Sequence, residues 1–373
     1  MRRFLILSLV MLCLLIAPVN VYAREESLYD DLGIEDIYDS LSKDSKDSLA
    51  AMCVGKAGEG TLSNVSFKSV ISEVLRILGE QLSSVIASCC LVLGVMLLYS
   101  LIDGFTSSMS QGAIKEVLSV VTALCVACML VIPVTQLIKT AGEVINASSQ
   151  VMLTFIPVML GVLISCGKAL SGSGYYALMT GAAQVVAQIS SKFIVPMLNV
   201  FLGVGICSAV VPELKFTGIL NTFSKTLKWV LSFSFTIFSA LLTFKTLIST
   251  SVDNVSTRAV RYTMSSFVPV VGAALSEAYK TVQGSVNILK NGVGVFVIFA
   301  VAAVFLPLVL KLLAWIFSVN ILKSVGEIMN LSVPCNMLTG VSTVLSMLLS
   351  VILCVAALFI ISTALIMTVG GAS

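Results

Sequence analysis

No histidine occurs anywhere in the 373 residues. That absence removes the imidazole base of a Ser–His or Cys–His pair, the commonest metal ligand and the usual proton relay near neutral pH. Charge is scarce as well: Asp, Glu, Lys and Arg make up 11% of the chain, against 58% hydrophobic residues. Soluble domains carry about a quarter charged residues, so the soluble globular class is excluded. No Gly-x-x-x-x-Gly-Lys-[Ser/Thr] run is present, so any energy from nucleotide must come from another polypeptide. The seven acids beyond residue 80 are scattered, and none forms the close pair that a proton pump needs.

Cysteine is not scarce, but its placement excludes most of its chemistry. Of ten, Cys13 lies in the N-terminal apolar run. Seven more (Cys89, Cys90, Cys125, Cys128, Cys166, Cys207 and Cys354) lie in later ones, where the thiol behaves as a small hydrophobe. Cys53 and Cys335 remain, in a polar segment and a loop. Cys125 and Cys128 match a C-x-x-C spacing, yet sit within an apolar run with no second pair. The expectation is no metal and no cofactor. Ser171-Gly-Ser-Gly174 reads as a flexible turn rather than a phosphate cradle.

What the chain does have is a series of uncharged apolar runs, several of about 18 residues or more, the length that crosses a hydrocarbon core. Arg2 and Arg3 precede the run 4–17, and Val21-Tyr22-Ala23 follows it. Residues 1–23 therefore read as a cleavable signal peptide, with an uncleaved anchor as the alternative. Both put residues 24–81 across the membrane from the cytoplasm. This segment is acidic: residues 24–80 hold 12 of the 19 Asp and Glu against six Lys and Arg. The basic excess falls later, in loops between spans, and is no sign of nucleic-acid binding. From Phe67 to Val85, apolar residues at i, i+3, i+4 spacing predict an amphipathic helix running straight into the first span.

Residues 82–373 read as an all-α polytopic transmembrane domain with about eight spans, seven to nine. Runs fall at 82–102, 117–138, 151–167, 229–248, 293–319 and 344–369. Residues 175–211, interrupted by Gln184, Gln188 and Lys192, make either one span or two. Charge in the loops is nearly balanced between the resulting topologies.

One stretch departs from this pattern. Residues 253–294 mix Arg258, Arg261, Glu277, Lys280 and Lys290 with a Pro269-Val-Val-Gly272 break. A half-polar, broken backbone survives at membrane depth only if protein buries it or it lines water. Ser276 and Lys280 share one side of a helix after Pro269, with Glu277 beside them and Gly272 allowing close approach. The segment is either an interfacial hairpin or a re-entrant element lining a path. Phe155-Ile-Pro157-Val158 followed by Gly161 echoes Phe267-Val-Pro269-Val270 followed by Gly272. Internal repeats with paired breaks are a transporter device, although Pro and Gly also recur by chance in apolar runs. The residues singled out as path or helix-contact positions are Pro157, Gly161, Arg258, Pro269, Gly272, Ser276, Glu277 and Lys280.

The same stretch carries a resemblance. Ser256-Thr-Arg-Ala259, Phe267-Val-Pro-Val-Val-Gly272, Leu275-Ser-Glu-Ala278, Val282-Gln-Gly284 and Lys290-Asn-Gly-Val-Gly294 resemble the stage III sporulation protein AE family. The likeness extends more weakly over the layout of signal peptide, polar outer segment and polytopic region. It implies a subunit of a secretion-like channel complex between mother cell and forespore, in the mother-cell membrane around the forespore. It also implies partners from the same sporulation operon, namely other membrane and ring-forming proteins and a separate secretion-type ATPase. No catalytic residues carry over. The expectation is a non-enzymatic channel or export-platform subunit. The alternative is an autonomous small-molecule permease working at the two Pro-Val…Gly breaks.

Overall fold

A computed structural model of the chain describes residues 34–52, 54, 67–106, 112–210, 217–267 and 272–368. The expected signal peptide, Cys53 and Pro269 lie outside them. The described residues form helices alone: α1 (Ile34–Asp39), α2 (Lys43–Ala51), α3 (Phe67–Thr106), α4 (Gly112–Ser165), α5 (Ala169–Ile189), α6 (Val195–Val210), α7 (Thr217–Phe267), α8 (Gly272–Ile328) and α9 (Ser332–Thr368), with a π-helical turn, Ser190–Ile194, joining α5 to α6.

Among the described residues, six helices are long and apolar enough to cross a membrane, against the eight or so expected. The difference has a local cause. The runs 117–138 and 151–167 flank a polar stretch, residues 139–150, which a hydropathy reading takes for a loop. Nothing in that stretch breaks a helix. Lys139 pairs with Glu143 at i+4, 3.8 Å apart, and the hydroxyls of Ser148 and Ser149 donate back to the carbonyls of Val144 and Ile145. Ile138, Ala141, Ile145 and Met152 meanwhile keep one side buried. Both runs therefore lie on α4, a rod of 54 residues and about 80 Å. Pro133 and Pro157 sit inside it. The run expected at 175–211 likewise forms one continuous rod as far as Val210, the π turn around Lys192 absorbing the polar interruption.

Short turns make successive long helices antiparallel neighbours. Two of these turns are Schellman motifs. After α4, Gly167 takes φ 72°, Lys168 N–H donates to the Leu163 carbonyl at 2.8 Å, and Gly167 N–H to that of Ile164 at 2.9 Å. After α8, Asn330 at φ 58° plays the same part, with Leu331 N–H on the Gly326 carbonyl.

The core runs along α8 and α9, which pack on each other and against α4 and α7. Of their apolar windows 56% and 61% is buried, against 6% for α7. The apolar surround of α8 and α9 therefore answers to protein as much as to lipid. Small residues permit the tightest crossing: a side chain at Gly340 of α9 would come within 3.2 Å of the Gly205 backbone of α6. The N-terminal helices are part of this core. Ile37, Leu41, Leu49 and Met52 are buried, α1 packs on α4, and α2 packs on α8 and α3. Tyr38 lies 6.5 Å from Phe296, ring centre to ring centre. Asp36, Asp39, Asp44 and Asp47 face outward. The helix expected from Phe67 runs into α3 without a break.

Candidate functional site

Buried charge in a helical membrane protein marks either function or assembly, and here it collects at one place. The Cys166-Gly167-Lys168 turn, between α4 and α5, is enclosed by side chains from α7 and α8. Asp253 of α7, itself buried, accepts from the backbone N–H groups of Leu170 at 3.2 Å and Ser171 at 2.8 Å. The first turn of α5 has no cap of its own, since Lys168 in the N-cap position makes no capping bond. A carboxylate from another helix thus satisfies two of its orphan donors and meets the positive end of its dipole. Lys168 turns its ammonium onto the Asn254 side-chain carbonyl. Gln283 of α8 donates to the Cys166 carbonyl at 2.6 Å, satisfying one of the free acceptors at the end of α4. Asn287, one turn on, lies 3.8 Å from the Cys166 thiol, and Lys290, a turn further, is 1% exposed. Thr257 folds its hydroxyl back onto the Asp253 carbonyl.

Four helices are thereby tied at one height. The bonds run from charged or amide side chains to helix ends, an arrangement that holds backbone in place. No nucleophile–base pair occurs among the described residues of the cluster, and no group of three or more His, Cys, Asp or Glu able to hold a metal occurs among the described residues. Cys125 and Cys128 are exposed on α4.

The described positions among those singled out in sequence lie on α4, α7 and α8, helices that also carry the cluster. Gly161 is half-buried on α4, and Pro157, one turn before it, is exposed on an unbroken helix. Arg258 is exposed on α7, one turn past Asn254. Gly272 opens α8, and Glu277 is exposed, its backbone carbonyl taking the Thr281 hydroxyl at 3.0 Å. Ser276 and Lys280 stand on the same helix, their side chains outside the described residues, as is Pro269. The two arms of the half-polar stretch are helices that run past the cluster. The Pro-Val…Gly echo falls within a helix in its first copy and at a helix junction in its second. Sequence reading passed over Lys168 and took Cys166 as a small hydrophobe. Asp253, Asn254 and Gln283 lay within the stretch it marked, but nothing in their spacing announces a helix end on another segment.

Fold and site together define a polytopic, all-helical membrane protein whose buried polar groups serve to join helices. A profile of the stage III sporulation protein AE family matches residues 53–370, and the chain belongs to that family. A stage III sporulation protein AE of Bacillus subtilis (strain 168) is 23% identical over 158 residues, 42% of this chain and 40% of the relative. That match spans less than half the relative's length. No solved structure matches the chain.

Proposed function

We propose that this chain is a non-enzymatic structural subunit of a secretion-like channel complex between mother cell and forespore. In this reading it sits in the mother-cell membrane around the forespore. It assembles with other membrane and ring-forming proteins of the same operon and draws energy from a separate secretion-type ATPase. The observation that carries the reading is the use of buried polarity: Asp253, Lys168, Asn254 and Gln283 are engaged at helix ends, in a chain without histidine. Membership of a sporulation family supplies the setting. The permease alternative needs two broken helices, and Pro157 lies within an unbroken one.

The docking surface for ring proteins is the acidic face of α1 and α2, since their apolar side is spent on the bundle. Replacing Asp36, Asp39, Asp44 and Asp47 together with Asn should leave the protein in the membrane at normal level. It should also release the ring-forming proteins from affinity-purified complexes and block spore formation. Undiminished recovery of those partners would remove the docking role. Solute uptake by liposomes holding this chain alone would replace the whole reading with the permease.

A further inference from the structure

Among the described residues, nothing covers the outward face of α7. Phe233, Ile237, Leu241, Phe244, Ile248 and Val255 are 45–69% exposed, at spacings of three, four and seven along six turns. The opposite side of the helix, at Leu242, Ser249, Asp253 and Thr257, is buried. Lys245 does not interrupt the stripe, because its stem lies across Gly174 of α5.

Register contacts show how high this stripe stands. Gly142 of α4 abuts Val195, Gly326 of α8 abuts Met96 of α3, and Phe201 of α6 stacks on Phe223 of α7 with ring centres 4.1 Å apart. The buried cluster aligns Asn254 and Gln283 with the turn at 166–168. At about 1.5 Å per residue, these contacts bring Arg76 and Glu80, Lys139 and Glu143, Lys192, Lys225 and Lys311 to a single height within roughly 15 Å. They form a charged collar around the bundle, and exposed apolar side chains lie on both sides of it, from Phe105 to Val255. End to end, collar included, the two apolar sections run for about 80 Å, well over twice the hydrocarbon thickness of about 30 Å. Lipid can cover only one of them.

The N-terminal helices say which one it leaves bare. Phe296, against which Tyr38 packs, is about 20 Å from Lys311 along α8, on the side of the buried cluster. Counted from that cluster, Phe296 is level with Leu241 and Phe244. Asp36, Asp39, Asp44 and Asp47 are exposed on α1 and α2, packed at that level, so that height is aqueous: four exposed carboxylates do not stand in hydrocarbon. The bilayer is left to the far side of the collar, where the apolar hairpin of α3 and α4 lies, with the Lys323–Glu327 pair, about 20 Å beyond Lys311 along α8, at its opposite edge. An exposed apolar stripe of this size outside lipid is an interface.

We propose that the α7 stripe pairs with the same stripe of a second copy of this chain, about a two-fold axis along the bundle. Spacing of three and four is that of a helix seam, and a parallel, in-register pairing of identical seams matches apolar to apolar along its whole length. An axis normal to the membrane keeps both copies in one orientation, as a shared bilayer requires. The eight exposed apolar side chains from Phe233 to Val255 offer about 800 Å² per copy, the size of a standard stable interface. On the α4 and α8 side, acidic α1 and α2 pack on the bundle near this level.

The test uses the full chain in native membranes with its own cysteines replaced. Phe244→Cys and Ile248→Cys should each form an oxidant-induced disulfide at twice the chain mass. Leu98→Cys, exposed on α3 beyond the collar, should not. Without cross-linking, the solubilised protein should have the mass of two chains, and Phe244→Glu should weaken self-association about a hundredfold, with its melting point unchanged when fully dissociated. A single-chain mass at all concentrations would overturn the pairing. So would cross-linking of Phe244→Cys to a different protein only. Quenching of a probe at position 244 by lipid-borne quenchers, as strong as at 98, would put the stripe in lipid and end the proposal.

Discussion

Asp253 is the residue on which most depends. Its carboxylate serves two backbone donors of a helix it does not belong to, and Asn254 beside it takes the Lys168 ammonium. Asp253→Ala leaves two N–H groups unserved at a buried helix start. A loss of about 3 kcal/mol follows, read as a lower melting temperature in detergent. Asp253→Asn keeps an acceptor and loses less. Because Lys168 belongs to the same cluster, Lys168→Met should cost less in the Asp253→Ala background than alone. Additive losses would mean that the two act separately. Gly167 belongs to this scale too. Its φ of 72° is the left-handed region, and any residue with a β-carbon there strains the turn that presents Lys168.

Helix length is where composition and structure part. Hydropathy divides the chain wherever polarity rises, but a helix ends only where backbone hydrogen bonding ends. Residues 139–150 raise polarity and break nothing, so α4 continues through them. Spin labels at Val121 and Ile164, both exposed, should therefore lie about 65 Å apart. Two antiparallel spans joined by a loop would bring them within about half that distance. The amphipathic start of α3 and the cap at Ser42, which takes the Ser45 N–H, are by contrast local features, and local reading finds them. The same holds for the half-polar stretch 253–294: its polarity is visible, its partners are not.

The molecule as a whole is a bundle in which the N-terminal segment is a structural member. Ile37 and Leu49 are fully buried, and Glu73 is held by two hydrogen bonds from Arg76, at 2.8 and 2.6 Å, at the edge where α2 meets α3. Removing residues 28–60 should thus do more than abolish docking. It uncovers apolar surface of α4 and α8, and the remaining bundle should melt earlier and aggregate on extraction, measured by size-exclusion after a heat step. An unaltered melting curve would show the segment to be an independent appendage.

By itself the sequence displayed the residue types at hand: too few charges for an ordinary soluble domain, no histidine, and apolar periods long enough for helices that span. These are properties of each residue in its own neighbourhood, and a string of residues displays them. The family resemblance was legible for the same reason, being carried by short local runs from Ser256 to Gly294. Only the tertiary structure decided that Asp253 caps α5, that Gln283 closes α4, and that the apolar side of α7 stands uncovered among the described residues. A helix end has unmet donors and acceptors whatever the sequence, but which distant side chain reaches them depends on the register of helices packed more than eighty residues apart. Whether an apolar stripe meets core, lipid or another copy depends on the height at which packing sets it.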